Sequence, residues 1–287
     1  METLVVGGTG TVGSAVVRAL AEKGESVRAM ARSPEKARDL PSGVRAIAGD
    51  LAKPETLNEA FAGVERVFLL NALGEHETDE GLAGVRAAKT AGAKRIVYMS
   101  VAMPPASEII PHFASKIPVE EAVRDSGMEW TILRPNNFYQ NDLRLREPIV
   151  QHGVYPQPIG GKGMTRVDVR DIADAAVRAL TTGDHRGRIY GLHGPDALTG
   201  TETAAIYSRH LGRPVQYMGD DLDAWQKQVR GMMPEWMIRD LRIMYAFFQD
   251  HGFEATDEER TQQRAVVGHD PRTFDAFVAE VAQEWKQ

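Results

Sequence analysis

The chain has 287 residues, 43% of them hydrophobic, no cysteine, and a formal charge of −6 from 34 basic and 40 acidic side chains. Disulfides, thiolate metal ligands and a cysteine nucleophile are therefore excluded, and the acidic balance argues against broad binding to nucleic acid or anionic membrane. No apolar run approaches the ~20 residues needed to cross a bilayer, and the first residues carry no basic or cleavable leader, so a soluble, cytoplasmic protein is expected.

The first strand is the short apolar run Leu4-Val5-Val6, which stops at Gly7. Glycines recur at Gly10 and Gly13, and behind them Val12, Ala15, Val16, Ala19 and Leu20 fall at the three-and-four spacing of one helix face. A buried strand, a tight turn and a helix in about twenty residues make the first half of a βαβ unit. The turn Gly7-Gly8-Thr9-Gly10-Thr11-Val12-Gly13 suits a dinucleotide. Its glycines let the chain reverse, let backbone approach a pyrophosphate and let helix pack on strand, while free N–H groups at the helix start attract the phosphates.

A second strand, Ser26 to Ala31, follows. NAD-specific sites carry an acid at its end, for the ribose hydroxyls. Here Ala31 is followed by Arg32, Ser33 and Lys36, so a 2′-phosphate meets no repulsion and finds cations, and NADP(H) is preferred over NAD(H). Val44 to Ala48 is the third strand. Asp50 after it could accept from an adenine amino group with Leu51 packing on the ring, or simply cap the turn before Pro54. A short helix spans Glu55 to Ala62. The fourth strand, Val67 to Leu70, is continuously apolar, as in a parallel sheet covered on both faces, and Asn71 and Ala72 lie at its ligand edge. A helix over Asp79 to Ala91 and a fifth strand, Arg95 to Met99, lead to Ser100, which with the loop Val101 to Pro111 rims the site. Tyr98, inside that strand, reads as core.

His112-Phe113-Ala114-Ser115-Lys116 opens the next helix, which is expected to continue to Gly127, and strand six is Trp130 to Pro135. Together the Gly7/Gly10/Gly13 turn, Gly49-Asp50-Leu51, Ser115-Lys116-x-x-x-Glu120, Thr131-Ile132-Leu133-Arg134-Pro135 and Val167-Asp168-Val169-Arg170-Asp171-Ile172-Ala173 resemble, in order, an extended or atypical short-chain dehydrogenase/reductase. In that superfamily a Tyr-x-x-x-Lys pair does the acid–base work. Here His112 stands at the tyrosine position and Lys116 is kept. The departure is similar to the NmrA-like branch, with its isoflavone-type reductases, quinone reductases, triphenylmethane-dye reductases and non-catalytic redox sensors. In the isoflavone-type reductases a lysine matching Lys116 in its distance to the following glycine, here Gly127, is the implied acid–base residue. Residues four apart on a helix share a face, so His112 and Lys116 are expected to point into one site. Lys116 could donate to the nicotinamide ribose or pass a proton, and His112 could protonate a reduced acceptor or merely cap the helix.

Asn136 to Asn141 leaves the sheet beside the nicotinamide, and Asn137 and its neighbours could hold that ring, or form a well-bonded loop. Arg134 is expected to make structural hydrogen bonds, and Asp168 and Asp171 to cap the helix Ile172 to Leu180. The expected fold class is α/β: a doubly wound parallel Rossmann sheet over 1–182, with 136–163 reaching to the substrate side, and a smaller, mostly helical substrate domain over 183–287. Within that domain Trp225, Met232, Met233, Trp236, Met237, Met244, Phe247 and Phe248 are expected to be mostly core, and a few could line a pocket for a flat hydrophobic acceptor. The expected function is hydride transfer from NADPH to a small apolar conjugated acceptor such as a quinone, dye or enone. A non-catalytic NADP(H) sensor is the alternative, and a sugar-nucleotide epimerase is disfavoured without the tyrosine. No metal, nucleic acid or membrane partner is expected, and either a monomer or a homodimer fits.

Overall fold

The computed structural model describes residues 1–33 and 39–286. Seven parallel strands make one sheet in the order β3-β2-β1-β4-β5-β6-β8: β1 Glu2–Val5, β2 Ser26–Ala31, β3 Arg45–Ala48, β4 Arg66–Leu69, β5 Arg95–Met99, β6 Glu129–Pro135 and β8 Arg188–Leu192. The order reverses at β1, whose neighbours are β2 on one side and β4 on the other. That is the doubly wound Rossmann arrangement, and its ligand crevice lies at the carboxyl ends of β1 and β4.

The central strands read as continuous apolar runs because helices cover both faces. Val5, Phe68, Val97 and Leu133 pack against α1 (Thr11–Glu22) and α7 (Val169–Thr181) on one face. Leu4, Val67, Ile96 and Ile132 pack against α2 (Leu57–Phe61), α3 (Glu77–Thr90) and α5 (Ile117–Arg124) on the other. α3 sits close to the sheet and to α5 because Gly81 and Gly84 have no side chains. A Cβ at those positions would come within 2.6 Å of Val119 and 2.5 Å of Leu69.

A second core lies over the carboxyl edge of the sheet. It combines the stretch around Tyr139 to Met164, which holds α6 (Arg146–His152) and β7 (Val154–Tyr155), with α8 (Gly200–Leu211), β9 (Gln216–Tyr217), α9 (Leu222–Val229), α10 (Glu235–His251) and α12 (Phe274–Trp285). β7 and β9 pair in a small parallel sheet of their own. The two cores do not part at residue 183. β8 completes the main sheet beside β6, and α11 (Asp257–Val267) packs Val266 and Val267 into the first core. Among the described residues no helix is long and apolar enough to cross a membrane.

One helix breaks where the sequence predicts continuity. The helix predicted to run unbroken from His112 to Gly127 is two pieces, α4 (Pro111–Ala114) and α5, parted at Ser115 and Lys116. Pro118 has no N–H to bond the carbonyl of Ala114, so the ladder is interrupted. α11 is started by a reciprocal cap between Thr256 and Glu259.

Candidate active site

Gly7 ends β1 in the left-handed region at φ +68°, where a side chain would be strained. The N–H of Gly10 donates to the Gly7 carbonyl at 2.9 Å, closing the turn, and a methyl group on Gly13 would collide with that same oxygen. On Gly8 a Cβ would come within 2.8 Å of Ala29. Gly10 is the extended residue that starts α1 and has no side-chain cap, so the first amides of the helix have no side-chain acceptor from the cap. An anion is the natural occupant of such a helix start at a switch point. At the end of β5, Ser100 is 3% exposed and its hydroxyl has no partner among the described residues, a buried polar group left unpaired at the carboxyl edge of the sheet. The residues present therefore fit a dinucleotide.

The other expected cofactor residues are spread around the same edge. Thr9 lies in the turn, and Thr11 and Val12 open α1, with Val12 buried. Arg32 is exposed at the end of β2, and Lys36 lies outside the described residues. Asp50 caps its own turn, Oδ1 accepting from the N–H of Ala52 at 3.1 Å, while Leu51 is buried in the α3-side core. Ala72 is exposed on the loop after β4. Asn137 is half-buried: its side-chain oxygen accepts from Asn141 at 2.9 Å and its carbonyl from the N–H of Val167 at 2.9 Å. The aromatic rings beside it turn inward. Phe138 packs on the first core and Tyr139 lies in the second against Phe274 and Phe277, since rings of this size bury where a core is open to them.

Beneath the crevice lies a closed polar cluster. Lys116 and Glu77 form an ion pair, Nζ to Oε1 at 2.6 Å, with side chains only 7% and 3% exposed. Nζ also lies 3.3 Å from the carbonyl and 3.4 Å from the side-chain oxygen of Asn71. Asn71 in turn donates to the Glu77 carbonyl at 2.8 Å and accepts from the Tyr98 hydroxyl at 3.2 Å. Burial, with Glu77 and Glu120 nearby, pushes the Tyr98 hydroxyl well above its usual range, so it remains a neutral donor. All three ammonium hydrogens of Lys116 thus have acceptors within the protein.

His112 belongs to an adjoining network. Its Nδ1 pairs with Oδ1 of Asp240 on α10, and its backbone N–H donates to Oδ2 of the same carboxylate at 3.0 Å. Ser115 links the two networks, its hydroxyl contacting Glu77 Oε2 at 2.8 Å and the His112 carbonyl at 3.0 Å. His112 and Lys116 are therefore neighbours, each held by a different carboxylate. Both networks border a cleft of about 430 Å³ between the sheet edge and α10. Its walls include Leu73, Glu77, Pro111, His112, Ser115, Trp236, Arg239, Asp240 and Ile243. Leu73 and Ile243 are large apolar side chains that remain more than a third exposed, and they line this same cleft. Of the aromatic and methionine residues of the C-terminal half, Trp225, Met244, Phe247 and Phe248 are core, Met232 is exposed, and Trp236 lines the cleft.

Residues 2–278 match the model of the NmrA-like family. The chain belongs to the NmrA-like family. Over 247 residues it is 39% identical to the NAD(P)H azoreductase of Xenophilus azovorans, covering 85% of this chain and 86% of that protein. It is 35% identical over 283 residues to the (4-alkanoyl-5-oxo-2,5-dihydrofuran-3-yl)methyl phosphate reductase of Streptomyces griseus, with 98% of each chain covered. The structure of the NADPH-dependent quinone oxidoreductase QOR2 of Escherichia coli complexed with NADPH superimposes with a TM-score of 0.86 at 24% identity, over 97% of this chain and 99% of that one, and shares its fold.

The sequence reading of this NmrA-like chain passes over Glu77 and Asp240, the two carboxylates that hold Lys116 and His112. Glu77 is the first residue of α3 and gives no sign of a partner 39 positions away. Asp240 leaves a trace: it sits four residues after Trp236 and four before Met244, an acid inside an apolar helical stripe. Such a buried carboxylate needs a partner. The remaining polar residues act structurally. Arg134 makes a two-pronged pair with Glu120 at 2.9 and 2.7 Å. Asp168 caps α7, accepting from the N–H of Arg170 at 2.8 Å, and Asp171 is tied instead to Arg272.

Proposed function

We propose that this protein is an NADPH-dependent reductase that delivers hydride to a small, apolar, conjugated acceptor such as a quinone, an azo dye or an enone. The observation that carries the reading is a juxtaposition: an apolar-walled cleft of about 430 Å³ is lined by Glu77, one partner of a buried ion pair beside the nucleotide-binding strand ends, and by Ser115, which contacts that carboxylate. The relatives support it, being named as NAD(P)H-dependent or reductive enzymes of near-equal length. Reduced nicotinamide, when bound, supplies the hydride. The Gly7 to Gly13 turn binds the pyrophosphate with backbone N–H groups, Arg32 faces the 2′-phosphate, and the Ser100 hydroxyl offers a polar contact near the ribose. Leu73, Trp236 and Ile243 bury the flat acceptor and exclude water. Lys116, fixed by Glu77, keeps a positive charge behind the cleft floor, where it favours an acceptor gaining negative charge.

The test is to mix the protein with NADPH and quinones, azo dyes and enones and to follow loss of the reduced-nicotinamide absorbance. Turnover with at least one class is expected, and Arg32→Ala should weaken NADPH at least about tenfold more than NADH, a difference of about 1.4 kcal/mol. Tight nucleotide binding with no turnover of any class would overturn the reductase reading in favour of a sensor.

A further inference from the structure

A hydride alone leaves a quinone or azo acceptor as an anion, so the reaction proposed above needs a proton at the site. Lys116 is a poor source. Its three hydrogens are engaged by Glu77 and Asn71, and releasing one would leave Glu77, 3% exposed, as an uncompensated buried carboxylate. His112 has the opposite arrangement. We infer that His112, positioned by Asp240, is the proton donor to the reduced acceptor.

Asp240 grips His112 at two points, through the ring Nδ1 and through the backbone N–H at 3.0 Å, which fixes both ring plane and tautomer. The ring also stands edge-on to Phe113, centroids 4.8 Å apart. Nδ1 is consumed by the carboxylate, so Nε2 is the atom left for the cleft that His112 lines. Asp240 is 6% exposed, and among the described residues its only side-chain or ion-pair partner is His112. Its carboxylate therefore acts on the imidazole alone, holding the ring in one orientation. The other charged groups facing the cleft are Glu75, Arg239 and Glu77, and Glu77 is committed to Lys116. The dyad also bridges the two cores. His112 follows β5 of the main sheet, while Asp240 lies on α10 of the substrate side, so the donor is oriented only when both parts are in place.

The step balances. Hydride adds to the electrophilic atom of the acceptor, which gains two electrons as the nicotinamide is oxidised. The displaced pair on the acceptor's heteroatom takes the proton from Nε2: the Nε2–H bond breaks, the heteroatom–H bond forms, and water returns the proton to the ring. One NADPH and one solvent proton are consumed for each acceptor reduced by two electrons.

The inference rests on the reductase reading, and two acceptors separate them. A neutral quinone needs a proton after hydride arrives, whereas a cationic triphenylmethane dye becomes a neutral product by hydride alone. His112→Gln in the full chain should lower the quinone-to-dye ratio of kcat at least about a hundredfold, the lower end of what a positioned acid contributes. Asp240→Asn should lower the ratio in the same direction but less, with NADPH affinity within about threefold of the parent, as befits a residue that only positions the donor. Imidazole added to His112→Ala should restore quinone turnover in proportion to its acid form. Equal losses on quinone and dye without imidazole rescue, or unchanged quinone turnover, would overturn the dyad while leaving the reductase intact. A parent protein that reduces neither acceptor would overturn both.

Discussion

Removing one partner of the Lys116–Glu77 pair should cost far more stability than removing both. At 2.6 Å the bare attraction is about 6 kcal/mol in an effective dielectric of about 20. Most of that is spent on taking two charges out of water, since the side chains are only 7% and 3% exposed. Lys116→Met preserves the apolar stem but leaves Glu77 with the Ser115 hydroxyl at 2.8 Å as its remaining side-chain donor. An unpaired buried charge of this kind costs about 3–5 kcal/mol, or roughly 5–10 °C of Tm in a chain of this size. Glu77→Gln strands the ammonium in the same way. The double variant Lys116→Met with Glu77→Gln removes both charges, and its loss should be about 1 kcal/mol, giving a coupling of about 5 kcal/mol or more. Urea unfolding of the four proteins in the cycle measures this directly. Single losses that simply add, or a Lys116→Met cost below about 1 kcal/mol, would refute the buried pair and return Lys116 to a free, cofactor-facing role.

Two further outcomes follow from the geometry. Gly13→Ala should force the first turn open, because the new methyl collides with the Gly7 carbonyl, and NADPH affinity measured by nucleotide fluorescence should fall at least about tenfold; binding at parental strength would place the nucleotide elsewhere. Glu259 should make the fold acid-sensitive. The neighbouring His193, and then the N–H of Thr256, hold its carboxyl down at about 2 against the cost of burial, below an ordinary 4.5. A lowered folded-state value means that the unfolded chain takes the proton first, so stability present above about 4.5 is lost as pH falls towards 2. Glu259→Gln should flatten the unfolding free energy across that window, and parallel pH profiles would contradict the assignment.

Much of the nucleotide-binding half is legible in residue order because its signals are local. Gly7, Gly10 and Gly13 follow a short apolar strand, and the unbroken apolar character of Val67 to Leu70 announces a parallel sheet covered on both faces. The break between α4 and α5 is also written locally, in Pro118, which has no N–H for the ladder. The second core is less legible. Its residues come from Tyr139 to Met164 and from several later helices, with β8 and α11 returned to the first sheet, so no composition shift marks its boundary.

By itself, then, the sequence determined where the chain turns, which strands are buried on both faces, and that Lys116 and His112 lie within one short stretch. The tertiary structure decided their chemistry. Glu77 from α3 takes Lys116 and Asp240 from α10 takes His112, across separations of 39 and 128 residues. Local propensity cannot encode such pairs. A buried charge is settled by whichever opposite group the packing brings within hydrogen-bond reach, and that choice exists only once the sheet and the second core have met.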